Sequence, residues 1–293
     1  MKESLCRMAE EWYGIKTDPD DIERLQNHLF SGGANTPDYD KMYSDTNVLE
    51  RFFSSGEASS FLTVNETYFF REPVHFSLLQ ELLPSFNQSA VRICSAAASA
   101  GCEAYSIAML IEMYNRNAEK PVLYQIDAFD INPKVIETAC RGIYSQNTLR
   151  EDGSCFSYLS DLYLKKNNYN IYVEQELKNK INFFVHNLLD GLKTDYYDVI
   201  FFRNAFIYIL PDYRERVLTN LLNSLKENGV LIMGVSETAA VYHRYLEQKV
   251  RRPFPQKEDV FFFQKNTYKK PAAPDYFTNA LLEKSAVPAG YAG

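Results

Sequence analysis

The chain has 293 residues, of which 46% are hydrophobic and 24% are charged, and its formal net charge is −7. This composition is typical of a globular protein with one large domain or two modest ones. Nucleic acids and anionic lipid surfaces are bound through clustered lysine and arginine side chains, so the acidic balance argues against both kinds of partner.

The cysteines and histidines carry no sign of a disulfide framework or a metal site. The five cysteines include no C-x-x-C pair, and the four histidines lack the spacing of metal ligands. The amino-terminal residues do not follow the pattern of a signal peptide, and no apolar run of about 18 residues could span a membrane. We therefore expect a cytoplasmic protein without direct membrane insertion.

The first 60 residues are predicted to form a helical N-terminal domain. Ile22, Leu25 and Leu29 recur at helical spacing behind Asp18, a suitable N-terminal cap, and a second short helix is predicted at residues 48–53. Small and polar residues follow. A linker segment, residues 61–90, then leads to a region of different character.

From residue 91 onward, strand patterns alternate with helix patterns. Strands are predicted at residues 91–95, 122–129, 181–185, 199–202, 230–234 and 260–263, and helices at about 103–114, 133–141 and 211–226. The alternation predicts an α/β domain over residues 91–268, with a mostly parallel sheet between helices. Residues 156–164 and 170–173 are interpreted as a small antiparallel insertion, about 150–180. Residues 269–293 are interpreted as a tail.

The carboxyl ends of the first two strands carry the candidate ligand site, because open α/β sheets bind ligands there. The first turn, residues 95–101, consists of small residues that let a ligand approach free backbone amides. Asp130 ends the second strand, where a carboxylate can accept both ribose hydroxyls or, equally well, cap the next helix. No G-x-G-x-x-G and no Walker lysine occurs, so a nucleoside ligand without pyrophosphate is favoured. S-adenosylmethionine satisfies that description.

Seven short segments between residues 62 and 237 carry more distinctive motifs. They are residues 62–72 (LTVNETYFFRE), 95–106 (SAAASAGCEAYS), 130–132 (DIN), 142–145 (GIYS), 187–189 (NLL), 202–208 (FRNAFIY) and 234–237 (GVSE). In this order and spacing they resemble the CheR-type chemotaxis receptor methyltransferases, and the N-x-T-x-F-F-R element is the most specific. The resemblance implies a Rossmann-like, class I S-adenosylmethionine-dependent methyltransferase that esterifies receptor glutamates.

The resemblance also implies where each matched residue contacts the cofactor. Glu103 and the turn containing Ala97 would hold the methionine end, and Asp130 would hold the ribose. Asn187 and Leu188 would lie at the adenine side. The remaining candidates would close the pocket from the fourth strand and from the segment joining the two domains: Arg203, Asn204, Asn65, Thr67 and Arg71.

Arg71 and Tyr208 are the candidate catalytic residues. A glutamate carboxylate, with an ordinary pKa of about 4.3, is already the nucleophile at neutral pH, so no general base is required. The planar guanidinium of Arg71 suits the alignment of that carboxylate, and Tyr208 would add a hydroxyl donor near the transferred methyl group. The alternatives are a pair between Arg71 and Glu72 or another surface acid, a core position for Tyr208, and a loop-capping role for Asn187.

The sequence departs from the family pattern at three places. Cys102 stands where the family usually has the first of two glutamates, which is tolerable if that position points outward. Residues 18–24 are acidic where the family has a basic helix thought to engage receptors. The turn at residues 165–170 contains no glycine, so we predict no tether to a receptor-tail pentapeptide.

The expected partners are therefore the cytoplasmic domains of chemotaxis receptors, and the resemblance implies a monomer. Two other functions stay open: a non-catalytic scaffold or sensor that binds S-adenosylmethionine, and a methyltransferase acting on another substrate.

Overall fold

The computed structural model describes residues 2–30, 46–86, 90–150, 155–234, 237, 250–251 and 261–265. The predicted tail and two residues of the last motif, at positions 235 and 236, lie outside these ranges. The helices are α1 (Lys2–Tyr13), α2 (Pro19–Phe30), α3 (Thr46–Ser54), α4 (Ser59–Leu62), α5 (Pro73–Leu82), α6 (Cys102–Asn117), α7 (Pro133–Arg141), α8 (Ser157–Tyr163), α9 (Gln175–Lys178) and α10 (Pro211–Ser224).

A seven-stranded, mostly parallel sheet forms the centre of the described structure. The strands are β1 (Val91–Ala96), β2 (Tyr124–Asp130), β3 (Ile143–Ser145), β4 (Leu164–Lys166), β5 (Asn170–Val173), β6 (Ile181–Val185), β7 (Tyr197–Phe202), β8 (Leu225–Met233), β9 (Val250–Arg251) and β10 (Phe261–Lys265). The sheet order is β6-β2-β1-β7-β8-β10-β9. The first five of these are parallel, and β10 is antiparallel to both neighbours. The predicted fold class is confirmed.

Each face of the sheet is covered by its own buried cluster. One cluster joins α5, α6 and α8 to the sheet, and β1 and β7 are buried along nearly their whole length, as strands covered on both faces must be. The second cluster joins the N-terminal helices and α10 to the opposite face, through residues such as Leu25, Phe53, Phe202 and Leu221. The N-terminal helices therefore share their core with the sheet.

Local signals in the sequence account for the helix ends nearest the site. The Oδ1 atom of Asp18 accepts a hydrogen bond of 2.9 Å from the amide of Asp20 at the start of α2. The side chain of Asn132 caps α7 by accepting from the amide of Lys134 at 3.0 Å. Gly142 ends α7 with φ of +61°.

The small antiparallel insertion is present, but its parts differ from the prediction. Its sheet has the order β3-β5-β4, whereas residues 157–163, predicted to belong to strands, form α8. Leu159, Ser160 and Tyr163 are the buried residues of this segment, a spacing that gives a helix one apolar face. Strand β3 was not predicted, because it has three residues and only Tyr144 among them is buried.

Strand β8 also begins earlier than expected. It starts at Leu225, and its pairing with β7 shifts register between Tyr197 and Val199. Asn228 has φ of +64°, so the residues between the predicted helix and the predicted strand form an irregularity within β8. No helix among the described residues is long and apolar enough to cross a membrane.

Candidate functional site

A cleft opens at the carboxyl ends of β1, β2 and β7. The space between its walls amounts to about 910 Å³ when the solvent at its open mouth is included. Three stretches supply most of its wall, residues 62–68, 97–99 and 203–205, and Ile15 comes from the N-terminal helical region. Its charged lining residues are Glu66, Arg71, Glu103, Asp130 and Arg203.

The turn after β1 is held in an unusual backbone conformation. Ala97, Ser99 and Gly101 have φ values of +58°, +50° and +85°. Left-handed residues of this kind turn successive amides toward a common side, which favours a polar or anionic ligand group. A Cβ atom on Gly101 would lie 2.8 Å from the Cβ atom of Ala139, so both the backbone and the packing require glycine there.

Asp130 joins this turn to the one after β2. Its Oδ2 atom accepts from the amide of Ser99 at 2.9 Å, and its Oδ1 atom accepts from the amide of Asn132 at 3.0 Å. Burial raises the pKa of Asp130, and these backbone hydrogen bonds oppose that rise. Since Asn132 caps α7 itself, Asp130 is not the helix cap; it fixes two ligand-facing loops and lines the cleft.

A buried ion pair forms the floor of the cleft. The Nη1 atom of Arg203 lies 2.9 Å from Oε2 of Glu103, and Oε1 of Glu103 accepts from the hydroxyl of Ser95 at 2.6 Å. The Arg203 side chain is only 2% exposed. Its guanidinium carbon lies 5.5 Å from the ring centre of Phe76. The side chains of the predicted cofactor residues Glu103 and Arg203 therefore fix each other's position.

Glu72 connects this floor with the segment that carries Arg71. One carboxylate oxygen accepts from Nδ2 of Asn204 at 2.8 Å, and the other lies 3.4 Å from Nη2 of Arg203 and 3.2 Å from Nδ1 of His75. Burial opposes ionisation of Glu72, but the neighbouring donors and the Arg203 charge outweigh it and lower its pKa. Arg71 therefore does not pair with Glu72 in the way the surface alternative required.

Arg71 lies at the wall of the cleft beside an aromatic ring. Its Nη1 atom donates to the carbonyl of Glu66 at 3.1 Å, and its guanidinium carbon lies 5.5 Å from the ring centre of Tyr68. Arg150 approaches the same ring to 4.2 Å and pairs with the Glu66 carboxylate at 2.8 Å. The backbone carbonyl of Arg71 accepts a hydrogen bond from Arg203.

Tyr208 also lines the cleft and is 36% exposed, so it is not a core aromatic. Its carbonyl accepts from the amide of Lys16 at 2.8 Å, and the amide of Leu210 donates to the carbonyl of Gly14 at 2.8 Å. Ile15 and Ile209 form an antiparallel bridge between these bonds. The N-terminal region thus holds the backbone of Tyr208.

Glu237 supports the other end of the same loop. Its Oε1 atom accepts from the amide of Phe206 at 2.7 Å. Burial raises the pKa of Glu237 to about 7, against the opposing effect of backbone hydrogen bonds. The turn between Asn204 and Tyr208 is therefore fixed by a carboxyl group that titrates near neutrality.

The remaining predicted cofactor residues fall into two groups. Asn65, Thr67 and Leu188 line the cleft together with Ala97 and Asn204. Asn187 does not: its Nδ2 atom donates to the carbonyl of Trp12 at 2.6 Å, and its Oδ1 atom accepts from the amide of Leu189 at 3.0 Å. These contacts correspond to the loop-capping alternative, and Asn187 borders a separate cavity beside the cleft.

Cys102 does not point outward, as its tolerance was expected to require. It is fully buried in the core at the first position of α6. Burial raises the pKa of its thiol to about 12, and a hydrogen bond with Thr67 works against that rise. A small, neutral thiol suits this position because an ionised glutamate would have to be paired there.

Several residues that line the cleft were not predicted. Thr63 and Tyr68 lie within the matched motif, so the motif itself was a signal for them. Glu72 ends the motif and contacts the cleft residue Asn204. Ile15 had no local signal, because only the folding of the N-terminal region against residues 208–210 brings it to the site.

Comparisons with known proteins agree with this geometry. The CheR methyltransferase, SAM-binding domain model matches residues 65–253. The chemotaxis protein methyltransferase of Vibrio parahaemolyticus is 33% identical over 188 residues, which are 60% of this chain and 66% of that protein. The chemotaxis protein methyltransferase of Escherichia coli is 35% identical over 199 residues, covering 65% and 68% of the two chains.

A relative with a different description is similar to the same degree. The probable biofilm formation methyltransferase WspC of Pseudomonas aeruginosa is 32% identical over 197 residues, covering 64% of this chain and 45% of that protein. The match to the Vibrio protein spans just under two thirds of that protein's length. The family model, however, covers well over half of the present chain. The chain therefore belongs to the CheR methyltransferase family and contains its S-adenosylmethionine-binding domain.

Proposed function

We propose that this protein transfers the methyl group of S-adenosylmethionine to glutamate carboxylates of chemotaxis receptors, giving glutamyl methyl esters. The observation that carries the proposal is the position of Arg71 in the wall of the cleft that Asp130 and Glu103 also line. An anion-binding side chain therefore lines the same cleft as acids suited to a cationic nucleoside. The names of the Vibrio and Escherichia relatives support the choice of receptor substrates.

The residues of the cleft fit the cofactor. S-adenosylmethionine supplies a methyl group on a positively charged sulfur. Asp130 would hold the ribose, Leu188 would pack at the adenine side, and Glu103 with the turn at Ala97 would hold the methionine end. The carboxylates favour the cation, and the amides of the left-handed turn favour the carboxylate of its amino-acid part.

Arg71 and Tyr208 would hold the substrate. The guanidinium of Arg71 has five N–H donors, of which the contact with Glu66 engages one group, so a substrate carboxylate can be aligned by the others. The hydroxyl of Tyr208 would add one donor. No general base is needed, because the nucleophile is an ionised carboxylate, and a cleft that excludes water favours a reaction in which charge is neutralised.

We further propose that the protein acts in the cytoplasm as a monomer and without a receptor-tail tether. The hairpin between β4 and β5 closes its turn through Asn167, whose Oδ1 atom accepts from the amides of Tyr169 at 3.0 Å and Asn170 at 2.7 Å. This turn needs no glycine. Calorimetry with a receptor C-terminal pentapeptide should detect no binding, and tight binding would refute this part of the proposal.

A second candidate is methylation of a receptor-like protein outside chemotaxis. It is favoured by the similarity to the biofilm-associated WspC relative and by the acidic first turn of α2, with Asp20 and Asp21. A non-catalytic role in binding S-adenosylmethionine is the third possibility, and the turnover experiment below separates it from the first two.

The test is methyl transfer from radiolabelled S-adenosylmethionine to receptor-bearing membranes, measured as methanol released by alkali. We expect label with the wild-type protein and none with Arg71→Ala, which should still bind the cofactor in calorimetry. The matched control is Arg141→Ala, whose ion pair with Glu137 is exposed on helix α7. Absence of label with several receptors, while the cofactor still binds, would contradict receptor methylation.

A further inference from the structure

Glu72 is the side chain that joins the two halves of the cleft. On one side it ends the segment that contains Arg71, and on the other it contacts Arg203 and Asn204, the residues that follow β7. It adopts a left-handed conformation, with φ of +55° and ψ of +71°, immediately before α5. A non-glycine residue in this region costs free energy, and such a cost is tolerated where surrounding contacts require the conformation.

Three polar side chains that carry N–H groups lie around the carboxylate of Glu72. The Nδ2 atom of Asn204 donates to Oε1 at 2.8 Å, while Oε2 faces Nη2 of Arg203 at 3.4 Å and Nδ1 of the fully buried His75 at 3.2 Å. The same Nη2 atom of Arg203 donates to the carbonyl of Arg71. An ionised carboxylate accepts only, so its charge and its lone pairs match this set of donors.

Asn204 is itself in a left-handed conformation, with φ of +57°, and it lines the cleft. Gly234 packs against it so closely that a Cβ atom on Gly234 would lie 3.1 Å from both the amide nitrogen and Nδ2 of Asn204. Its side-chain direction is therefore set from one side by packing and from the other by Glu72. Without the carboxylate, the Nδ2 group would lose the acceptor that orients it.

We propose that Glu72 is a positioning residue that fixes the substrate-side Arg71 and the cofactor-side Asn204 relative to each other. The inference rests on the proposed methyl transfer for its catalytic consequence, but not for its consequence for cofactor binding. Loss of the carboxylate should weaken cofactor binding through Asn204 and Arg203, and should slow turnover further because Arg71 is no longer held against them.

The test is a double-mutant cycle on Glu72→Gln and Asn204→Asp, with S-adenosylmethionine affinity measured by calorimetry. Glu72→Gln places an amide donor against the donors of Arg203 and His75, and Asn204→Asp places two carboxylates in contact. The double variant reverses the hydrogen bond, since Gln donates and Asp accepts, and it keeps one negative charge in the pair. Aspartate tolerates the left-handed backbone at this position.

We expect each single substitution to weaken cofactor binding about tenfold, in line with the loss of a charge-assisted hydrogen bond. The double variant should bind at least about tenfold more tightly than the product of the two losses predicts. Independent effects that simply multiply would overturn the inference. So would a Glu72→Gln variant that binds and turns over within about twofold of the wild type.

Two further measurements keep the result interpretable. Glu72→Asp retains the charge but is one methylene shorter, so it should fold normally, as judged by its thermal midpoint, and still lose turnover at saturating cofactor. Glu137→Gln makes the same chemical change at an exposed position and should leave both quantities unchanged. If the wild-type protein methylates no receptor, the proposed function fails, whereas the binding cycle still decides the role of Glu72.

Discussion

The guanidinium of Arg203 contacts the carboxylate of Glu103 with one nitrogen, at 2.9 Å, and the backbone of Arg71 with the other. One buried cation therefore spans from the helix after β1 to the segment that precedes α5. Because the side chain is 2% exposed, water cannot replace either contact. The segments that carry Glu103 and Arg71 consequently share a single structural support.

Replacing Arg203 by methionine should destabilise the fold as well as the site. The change removes the buried cation that Glu103, Glu72 and the Arg71 carbonyl share, and we expect the free energy of unfolding to fall by about 3 kcal/mol. Urea denaturation measures this directly. The exposed Arg141→Met, which breaks a pair of side chains that are 60% and 68% exposed, should change it by less than about 0.5 kcal/mol. Equal losses of unfolding free energy in the two variants would contradict the proposed structural role of Arg203.

Asp130→Asn should weaken cofactor binding more than it weakens the fold. The amide group must present its NH2 to the backbone amide of Ser99 or of Asn132, so one of the two loops loses its acceptor. We expect affinity for S-adenosylmethionine to fall roughly 30-fold, with a loss of about 1–2 kcal/mol in unfolding free energy. Calorimetry and urea denaturation give the two values, and Asp161→Asn on the surface is the matched control.

Tyr208→Phe should separate turnover from cofactor binding. The phenyl ring of phenylalanine would occupy the same place in the cleft wall, and the backbone hydrogen bonds to residues 14–16 do not involve the hydroxyl of Tyr208. We expect kcat for methyl transfer to fall about tenfold, with S-adenosylmethionine affinity changed by less than about twofold. An equal loss in both quantities would place the hydroxyl on the cofactor.

Glu237 should make stability depend on pH in a direction unusual for a carboxyl group. Its pKa is about 7 in the folded chain, against an ordinary value of 4.5, so between these values the folded state holds a proton that the unfolded state has lost. The free energy of unfolding should therefore be greatest below pH 4.5 and fall as the pH rises toward 7, by at most about 3 kcal/mol.

The histidines act in the opposite sense and must be separated from Glu237. Burial lowers the pKa values of His75 and His186, so protonation of the unfolded chain destabilises the fold at acidic pH and that penalty fades as the pH rises. The decisive measurement is the difference between wild type and Glu237→Gln in urea denaturation at several pH values. From pH 5 to pH 8, the free energy of unfolding of the variant should rise relative to that of the wild type. A difference between the two proteins that does not change with pH would contradict the raised pKa of Glu237.

Strands β1 and β7 are buried along nearly their whole length, and such strands can be predicted as short, largely apolar runs between turn residues. The predicted bounds of β6 match the structure, and β7 begins two residues earlier than predicted. Strand β2 begins two residues and ends one residue later than predicted. Asp130 and Arg203 were selected because they lie at the ends of strands, and Glu103 because of the family resemblance; the structure brings all three to one cleft.

The features of the fold and of the site that were not predicted depend on tertiary contacts, which no local sequence pattern indicates. Strand β3 is too short to show alternation, and the helical spacing in α8 was obscured by its aromatic and polar residues. Cys102 was assigned an outward direction from a family pattern, whereas the packing of α6, buried almost all round, decides its direction. Asn187 was placed by analogy, but its amide groups are engaged by Trp12 and Leu189.

The bridge between Ile15 and Ile209 has a mechanical consequence. Residues 14–16 cannot move away from the sheet without breaking the two backbone hydrogen bonds to residues 208–210, or else carrying those residues with them. A displacement of the first two helices would therefore also displace the loop that contains Tyr208, because residues 14–16 are bonded to residues 208–210. A chain shortened to begin after residue 60 would also lose Ile15 from the wall of the cleft, together with more than a third of the buried residues in the core on that side of the sheet.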